Sequence, residues 1–270
     1  MSDIDLAREY DNRAKVADFA AIVAGWARAA ESFRGRAGGE LSLRYGPGPR
    51  QELDLFLPPG MDAAGAPAAL FLHGGYWQAM DRGYFSHLAG GLLAHGVAVA
   101  VPSYDLCPAV SLETIIEQAR QAAGFVHRRT GRRLLAMGHS AGGHLSACLL
   151  ATDWASRGLP ADLVPAALSL SGLFDLLPLR QVKEGAALGL DEATARRLSP
   201  VFWPRPSGRI HAVVGGEEGE EYLRQSREIA AAWGGTWDVV PGADHFSVIA
   251  PLAEPGSTLV AEALALLPLV

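Results

Sequence analysis

The apolar and polar positions of this chain change rhythm twice. From Asp5 to Arg34, apolar residues recur at helical spacing among Ala, Arg and Glu. That predicts one or two helices over a sheet or over the mouth of a site, and the whole N-terminal helical segment is placed at residues 1–38. A stabilising role is the plainer reading, and a substrate-contacting lid is the alternative. Two runs then alternate residue by residue, "LSLRYG" and "QELDLFLP", parted by Pro and Gly. This pattern predicts a β-hairpin or an adjacent antiparallel pair. "PGMDAAGAPA", from Pro59 to Ala68, reads as a surface loop.

Beyond that loop the strands should be apolar throughout, as in "AALFLHGG", "GVAVAVPSY", "RRLLAMGHS", "PAALSLSG", "RIHAVVGG" and "WDVVPG". Runs with no polar side suit parallel strands buried on both faces. Helical candidates lie between them at Arg82–His95, Ser111–Thr130, Ala141–Ala155, Glu221–Trp233 and Ser257–Leu266. The alternation predicts an α/β fold, a mostly parallel doubly wound sheet of about eight strands led by an antiparallel pair, in one domain spanning residues 1–270. Between Phe174 and Pro206 the rhythm fails, and this proline-bearing stretch, residues 174–206, reads as an insertion over the strand ends.

Composition narrows the partners. Of 270 residues, 49% are hydrophobic and 19% charged, and the formal net charge of -6 is not gathered into a long block. A surface for nucleic acid or anionic membrane is therefore not expected. The start, "MSDIDLAREYDNRAK", puts acids before any apolar run and lacks the features of a secretory signal. No apolar segment approaches bilayer length. Cys107 and Cys148 provide neither a disulfide framework nor a zinc cluster, so a cytoplasmic protein with reduced thiols is expected. The oligomeric state stays open, a homodimer included.

The chemistry centres on Gly138-His139-Ser140-Ala141-Gly142, where an apolar strand gives way to helix formers. A serine on a tight strand-to-helix turn needs neighbours without bulk, and its hydroxyl then stands exposed at the strand's carboxyl end. The hydroxyl is a weak nucleophile until a base takes its proton. His245, in the loop "PGADHF" after the last strand, follows the serine in the required chain order. His73, His87, His95, His127, His139, His144 and His211 fall on strands, on helices or beside the turn. The orienting acid should follow the penultimate strand, where "VVGGEEGEE" offers Glu218 and Glu217, with Asp175 in reserve. Asp244 more plainly shapes the loop of His245. For the developing oxyanion, "HGGYW" and the helix start offer the backbone N–H groups of Gly75, Tyr76 and Ala141, with Gly74 as the alternative. No Lys-Ser/Thr follows the glycines, no G-x-G-x-x-G opens the first βα unit and no H-E-x-x-H occurs, so neither a cofactor nor a metal is expected.

With "HGGYW", "GHSAGGHL" and "DHF" in this order, the sequence resembles the α/β-hydrolase fold and, within it, the kynurenine formamidase (arylformamidase) branch marked by H-G-G-x-W. "YDNR", "SGLFDLLPL", "LSP" and "EEYLRQSREIAAAW" are softer matches, and the likeness runs from about Tyr10 to the end. In that branch the acid is commonly aspartate in V-G-x-x-D, and aligning on Val213-Val214-Gly215 puts Glu218 there. The resemblance implies hydrolysis of N-formyl-L-kynurenine to kynurenine and formate in tryptophan breakdown. The residues alone support attack by Ser140 on a small carbonyl, so a general carboxylesterase or thioesterase is the alternative. From another class, a non-catalytic binding protein would typically have lost one of the three residues. For substrate contacts, Gly74, Tyr76, Trp77 and Phe246 are candidates, and Arg13, Arg82 and Arg180 are the cations that a carboxylate-bearing substrate would need.

Overall fold

Eight strands account for the runs read above: β1 (Gly39–Arg44), β2 (Glu52–Phe56), β3 (Ala68–Leu72), β4 (Ala98–Pro102), β5 (Leu134–His139), β6 (Ala166–Leu170), β7 (Arg209–Gly215) and β8 (Thr236–Val240). The computed structural model describes residues 4–268. The helices are α1 (Leu6–Tyr10), α2 (Asn12–Lys15), α3 (Phe19–Arg36), α4 (Gly90–Leu93), α5 (Leu112–Thr130), α6 (Ala141–Leu150), α7 (Lys183–Ala186), α8 (Glu192–Arg197), α9 (Glu220–Trp233) and α10 (Thr258–Leu266). No helix among the described residues is long and apolar enough to cross a membrane.

The strands form one sheet in the order β1-β2-β4-β3-β5-β6-β7-β8. β2 runs antiparallel to both β1 and β4, and every other pairing is parallel. After β3 the chain steps outward to β4 and then back past β3 to β5. The order reverses there, and in open α/β sheets such a reversal leaves a crevice at the carboxyl ends of the two strands. The end of β3 carries His73-Gly74-Gly75 and the end of β5 carries Ser140.

Side-chain alternation builds a core on each face. Ala68, Leu70 and Leu72 of β3 join Leu134 and Ala136 of β5 against α5, α6 and α9. Ala69, Phe71, Leu135 and Met137 point the other way, toward α3 and α10. Both faces are covered, so these strands are apolar throughout. β8 is one of the two sheet edges and is mostly exposed.

Helices with clear capping chemistry lie where the pattern predicts them. Ser111 accepts from the Thr114 N–H at 3.2 Å to start α5, and Gly131, at φ 69°, ends it. The stretch Arg82–His95 differs. It folds as two 3-10 turns, Arg82–Tyr84 and Ser86–Ala89, and the single turn of α4. The cause is close approach: a Cβ at Gly91 would lie 2.3 Å from the Leu252 carbonyl oxygen, so the segment carries glycines that weaken a helix by about 1 kcal/mol each relative to alanine. α6 stops at Leu150 rather than Ala155. The Thr152 hydroxyl donates to the Cys148 carbonyl at 2.7 Å and Asp153 accepts from the Ser156 N–H, bonds that favour a turn. The N-terminal stretch divides into α1, α2 and α3, the first two capped by Asp5 and Asp11. Residues 174–206 hold 3-10 turns Pro178–Gln181 and Pro200–Phe202 around α7 and α8.

Several imidazoles are buried in this core, and they make stability sensitive to acid. Burial holds His73 and His144 down to about 4 and pushes His139 well below the ordinary imidazole range, with the nearby His245 adding to the effect on His139. Each is held neutral by the fold, whereas the unfolded chain takes up a proton near pH 6.5. Their stabilisation is therefore fully present above about pH 6.5 and is lost as pH falls below it; for His73 and His144 the loss runs toward pH 4 and is on the order of 3 kcal/mol each. The melting temperature should drop steeply between pH 7 and pH 4.5, and a flat profile would contradict this burial. His144→Gln should flatten the slope, since the His144 ring is held by the Leu198 carbonyl, Cys148 and the edge of Trp77 and by no acid among the described residues.

Candidate active site

Ser140 joins β5 to α6 in a backbone conformation with φ 55° and ψ -115°. A residue with a Cβ holds a positive φ only where its surroundings impose it, at a cost on the order of 1–3 kcal/mol. The surroundings do so here. The Ser140 N–H donates to the Leu170 carbonyl of β6 at 2.8 Å, and its carbonyl accepts from the His144 N–H at 3.2 Å. The flanking glycines are required by space: a Cβ on Gly138 would lie 2.1 Å from the Gly142 carbonyl oxygen, and one on Gly142 would lie 2.0 Å from that of Leu72.

His245 leaves the loop after β8 and places Nδ1 2.6 Å from Glu218 Oε2, with both side chains buried. The other carboxylate oxygen, Oε1, accepts from the Ser171 hydroxyl at 2.5 Å and the Gly215 N–H at 2.8 Å. These bonds fix the carboxylate plane, so His245 Nδ1 carries its proton toward Glu218 and Nε2 keeps a free lone pair. Nε2 of the neutral His139 donates to the His245 carbonyl at 2.8 Å, and the Tyr222 ring packs with its centroid 4.7 Å from that of His245. Glu217 is exposed. Asp175 is turned away, accepting from the Leu177 N–H at 3.1 Å and pairing with Arg224 at 3.4 Å.

The third component is the loop after β3. Gly75, Tyr76 and Trp77 all take positive φ, 112°, 50° and 57°. The turn folds back so tightly that a Cβ on Gly75 would lie 2.4 Å from the Ala79 carbonyl oxygen, and one on Gly74 would lie 3.3 Å from Ser140 Cβ. The backbone N–H groups of Gly75 and Tyr76 make no hydrogen bond among the described residues, and that of Ala141 is an unpaired donor of the first helical turn. Ser140, His245, Gly74, Gly75 and Tyr76 line one cavity.

Phe246 lines the same cavity and packs against Phe19 at a centroid distance of 4.9 Å. Trp77 does not. It is fully buried, edge-on to His144, because the positive-φ turn sends its side chain into the core. Arg82 is likewise committed elsewhere, to Glu52 at 2.9 Å and Asp54 at 3.1 Å, while Arg180 sits beside Glu192 at 3.5 Å. Arg13 lines the cavity. Nothing in the sequence pattern marks Ser171, Tyr222, Asn12, Phe19 or Trp26 as site residues. Ser171 reaches Glu218 only through the pairing of β6 with β7, and Asn12, Phe19 and Trp26 reach the cavity only because the N-terminal segment docks there.

A mostly parallel eight-stranded sheet with a serine held on such a turn at the carboxyl end of β5 defines an α/β-hydrolase, and the protein is an enzyme of that class. The BD-FAE family model matches residues 53–171. Kynurenine formamidase of Salmo salar is 30% identical over 238 residues, covering 83% of this chain and 80% of that protein. The Drosophila melanogaster enzyme of the same name is 32% identical, covering 77% and 74%. A crystal structure from Silicibacter sp., provisionally described as a thioesterase, superposes with a TM-score of 0.88 at 36% identity and covers 96% of this chain and 98% of that one. The chain belongs to the kynurenine formamidase family.

Proposed function

We propose that this protein is a serine hydrolase that cleaves N-formyl-L-kynurenine to kynurenine and formate, as a step of tryptophan breakdown in the cytoplasm. The observation that carries this reading is His245, paired through Nδ1 with Glu218 and lining one cavity with Ser140, a cavity walled by the aromatic rings of Phe19, Trp26 and Phe246. The names of the relatives point the same way. Both cysteines are free and buried, which supports a reducing compartment.

In this reading His245 Nε2 takes the Ser140 proton as Oγ attacks the formyl carbon. Glu218 holds the ring in the tautomer that can accept it and faces the imidazolium that forms. The N–H groups of Gly75, Tyr76 and Ala141 receive the oxyanion, where losing one donor typically costs 10²–10³ in rate. Collapse breaks the C–N bond, His245 returns the proton to the aniline nitrogen, and a formyl ester remains on Ser140. Water, deprotonated by His245, attacks that ester and releases formate. The cycle draws on no cofactor or metal, and the chain works as one domain.

The Silicibacter likeness supports a second reading, a carboxylesterase or thioesterase acting through the same residues. Comparing kcat/KM on N-formyl-L-kynurenine with that on p-nitrophenyl acetate and a short acyl thioester decides between them. A preference of several orders of magnitude for the formamide is expected. Turnover of esters alone would remove the formamidase reading.

A further inference from the structure

We propose that α2 reads the amino-acid end of the substrate, with Asn12 Oδ1 accepting from its ammonium group and Arg13 pairing with its carboxylate. This rests on the formamidase reading above and adds the residues that would make it selective.

The argument begins with a chain of hydroxyl protons. The Tyr76 hydroxyl donates to the Tyr10 carbonyl at 2.7 Å, so it can only accept from the Tyr222 hydroxyl 2.8 Å away. Tyr222 has then spent its own proton and must accept from Asn12, which it does from Nδ2 at 2.7 Å. Each link has a single direction, so the orientation of the Asn12 amide is fixed. Oδ1 is left as an acceptor without a partner, on a side chain only 4% exposed. A buried acceptor kept unpaired calls for a donor from a ligand.

Asn12 lines the cavity that holds Ser140 and His245, and so does Arg13. The nearby lysines are occupied, Lys183 by Asp11 at 2.5 Å and Lys15 by Glu9 at 3.9 Å. Arg13 pairs with no acid among the described residues and lies 5.3 Å from the centroid of Phe19. A free acceptor and a free guanidinium on consecutive residues, beside an aromatic wall, match an α-amino acid on an aryl group. The ammonium and carboxylate of such a substrate share one carbon, as Asn12 and Arg13 share one helical turn.

Three substrates test this with the full chain: N-formyl-L-kynurenine; 4-(2-formamidophenyl)-4-oxobutanoate, which lacks the ammonium; and 2-formamidoacetophenone, which lacks both charged groups. Hydrogen bonds to charged groups lead us to expect kcat/KM to fall about 10–100-fold on loss of the ammonium and again on loss of the carboxylate. Arg13→Gln should reduce the preference for the first two over the third by about 10–100-fold, mainly through KM, and Arg13→Lys should restore part of it. An Arg13→Gln enzyme with an unchanged preference would overturn the role of Arg13, and equal rates with and without the ammonium would overturn that of Asn12. A wild-type enzyme that hydrolyses esters and none of the three formamides would instead remove the formamidase reading, and this inference with it.

Discussion

Ser140→Ala should lose all covalent labelling by a fluorophosphonate and should lower kcat by about 10⁴–10⁶-fold on every acyl substrate the enzyme accepts. The magnitude follows from the division of labour in the site. In the mechanism proposed above no acyl-enzyme forms without Oγ, and what survives is the residual rate supplied by binding and by the N–H groups at Gly75, Tyr76 and Ala141. The variant should fold normally, because alanine keeps the Cβ and the bonds that hold the turn are backbone ones, from Ser140 N–H to Leu170 and from His144 N–H to the Ser140 carbonyl. Intact-mass measurement after labelling, with a melting curve beside it, checks both halves. Retained labelling would place the nucleophile elsewhere.

Glu218→Gln should be nearly as damaging, with kcat reduced about 10⁴-fold, for a reason of hydrogen-bond direction. The carboxylate now accepts on both oxygens, from Ser171 and Gly215 on one side and from His245 on the other. Glutamine has one accepting oxygen. Turned toward Ser171 and Gly215, it presents its NH₂ to His245 Nδ1, moves the imidazole proton to Nε2 and leaves no base for Ser140. Turned the other way, it sets NH₂ against the Gly215 N–H in a buried space. Glu217→Gln, on an exposed side chain, should stay within about two-fold of wild type. If Glu217→Gln proves the more harmful, the acid has been misassigned.

How far the sequence discloses this arrangement depends on the range of the contacts. The strands are readable because residues such as Leu70 and Phe71 must satisfy two cores at once, so the apolar run is unbroken. The glycines around Ser140 are readable for a local reason, since any Cβ there meets backbone within one turn or one neighbouring strand. Arg82–His95 is misread as one helix because the glycine at Gly91, which weakens a long helix there, is required by the close approach of Leu252, far along the chain. Trp77 is misplaced for a related reason: which way a side chain leaves a positive-φ turn is a property of the fold. Choosing Arg13 over Arg82 and Arg180 likewise requires knowing that Glu52, Asp54 and Glu192 already occupy the other two.

The docking of the N-terminal segment bears on when this enzyme can first act. The Tyr10 hydroxyl donates to Glu221, 211 residues away, and Asn12 reaches Tyr222 across 210. Contacts of that span are closed late, because a long loop must lose its freedom before they repay it. A chain emerging from the ribosome thus carries Asn12 and Arg13 from the outset but has nowhere to seat them until α9 has been made and packed. If Asn12 and Arg13 read the substrate as proposed, preference for the charged formamide is a property of the finished fold alone, and its appearance during refolding should follow the packing of α9.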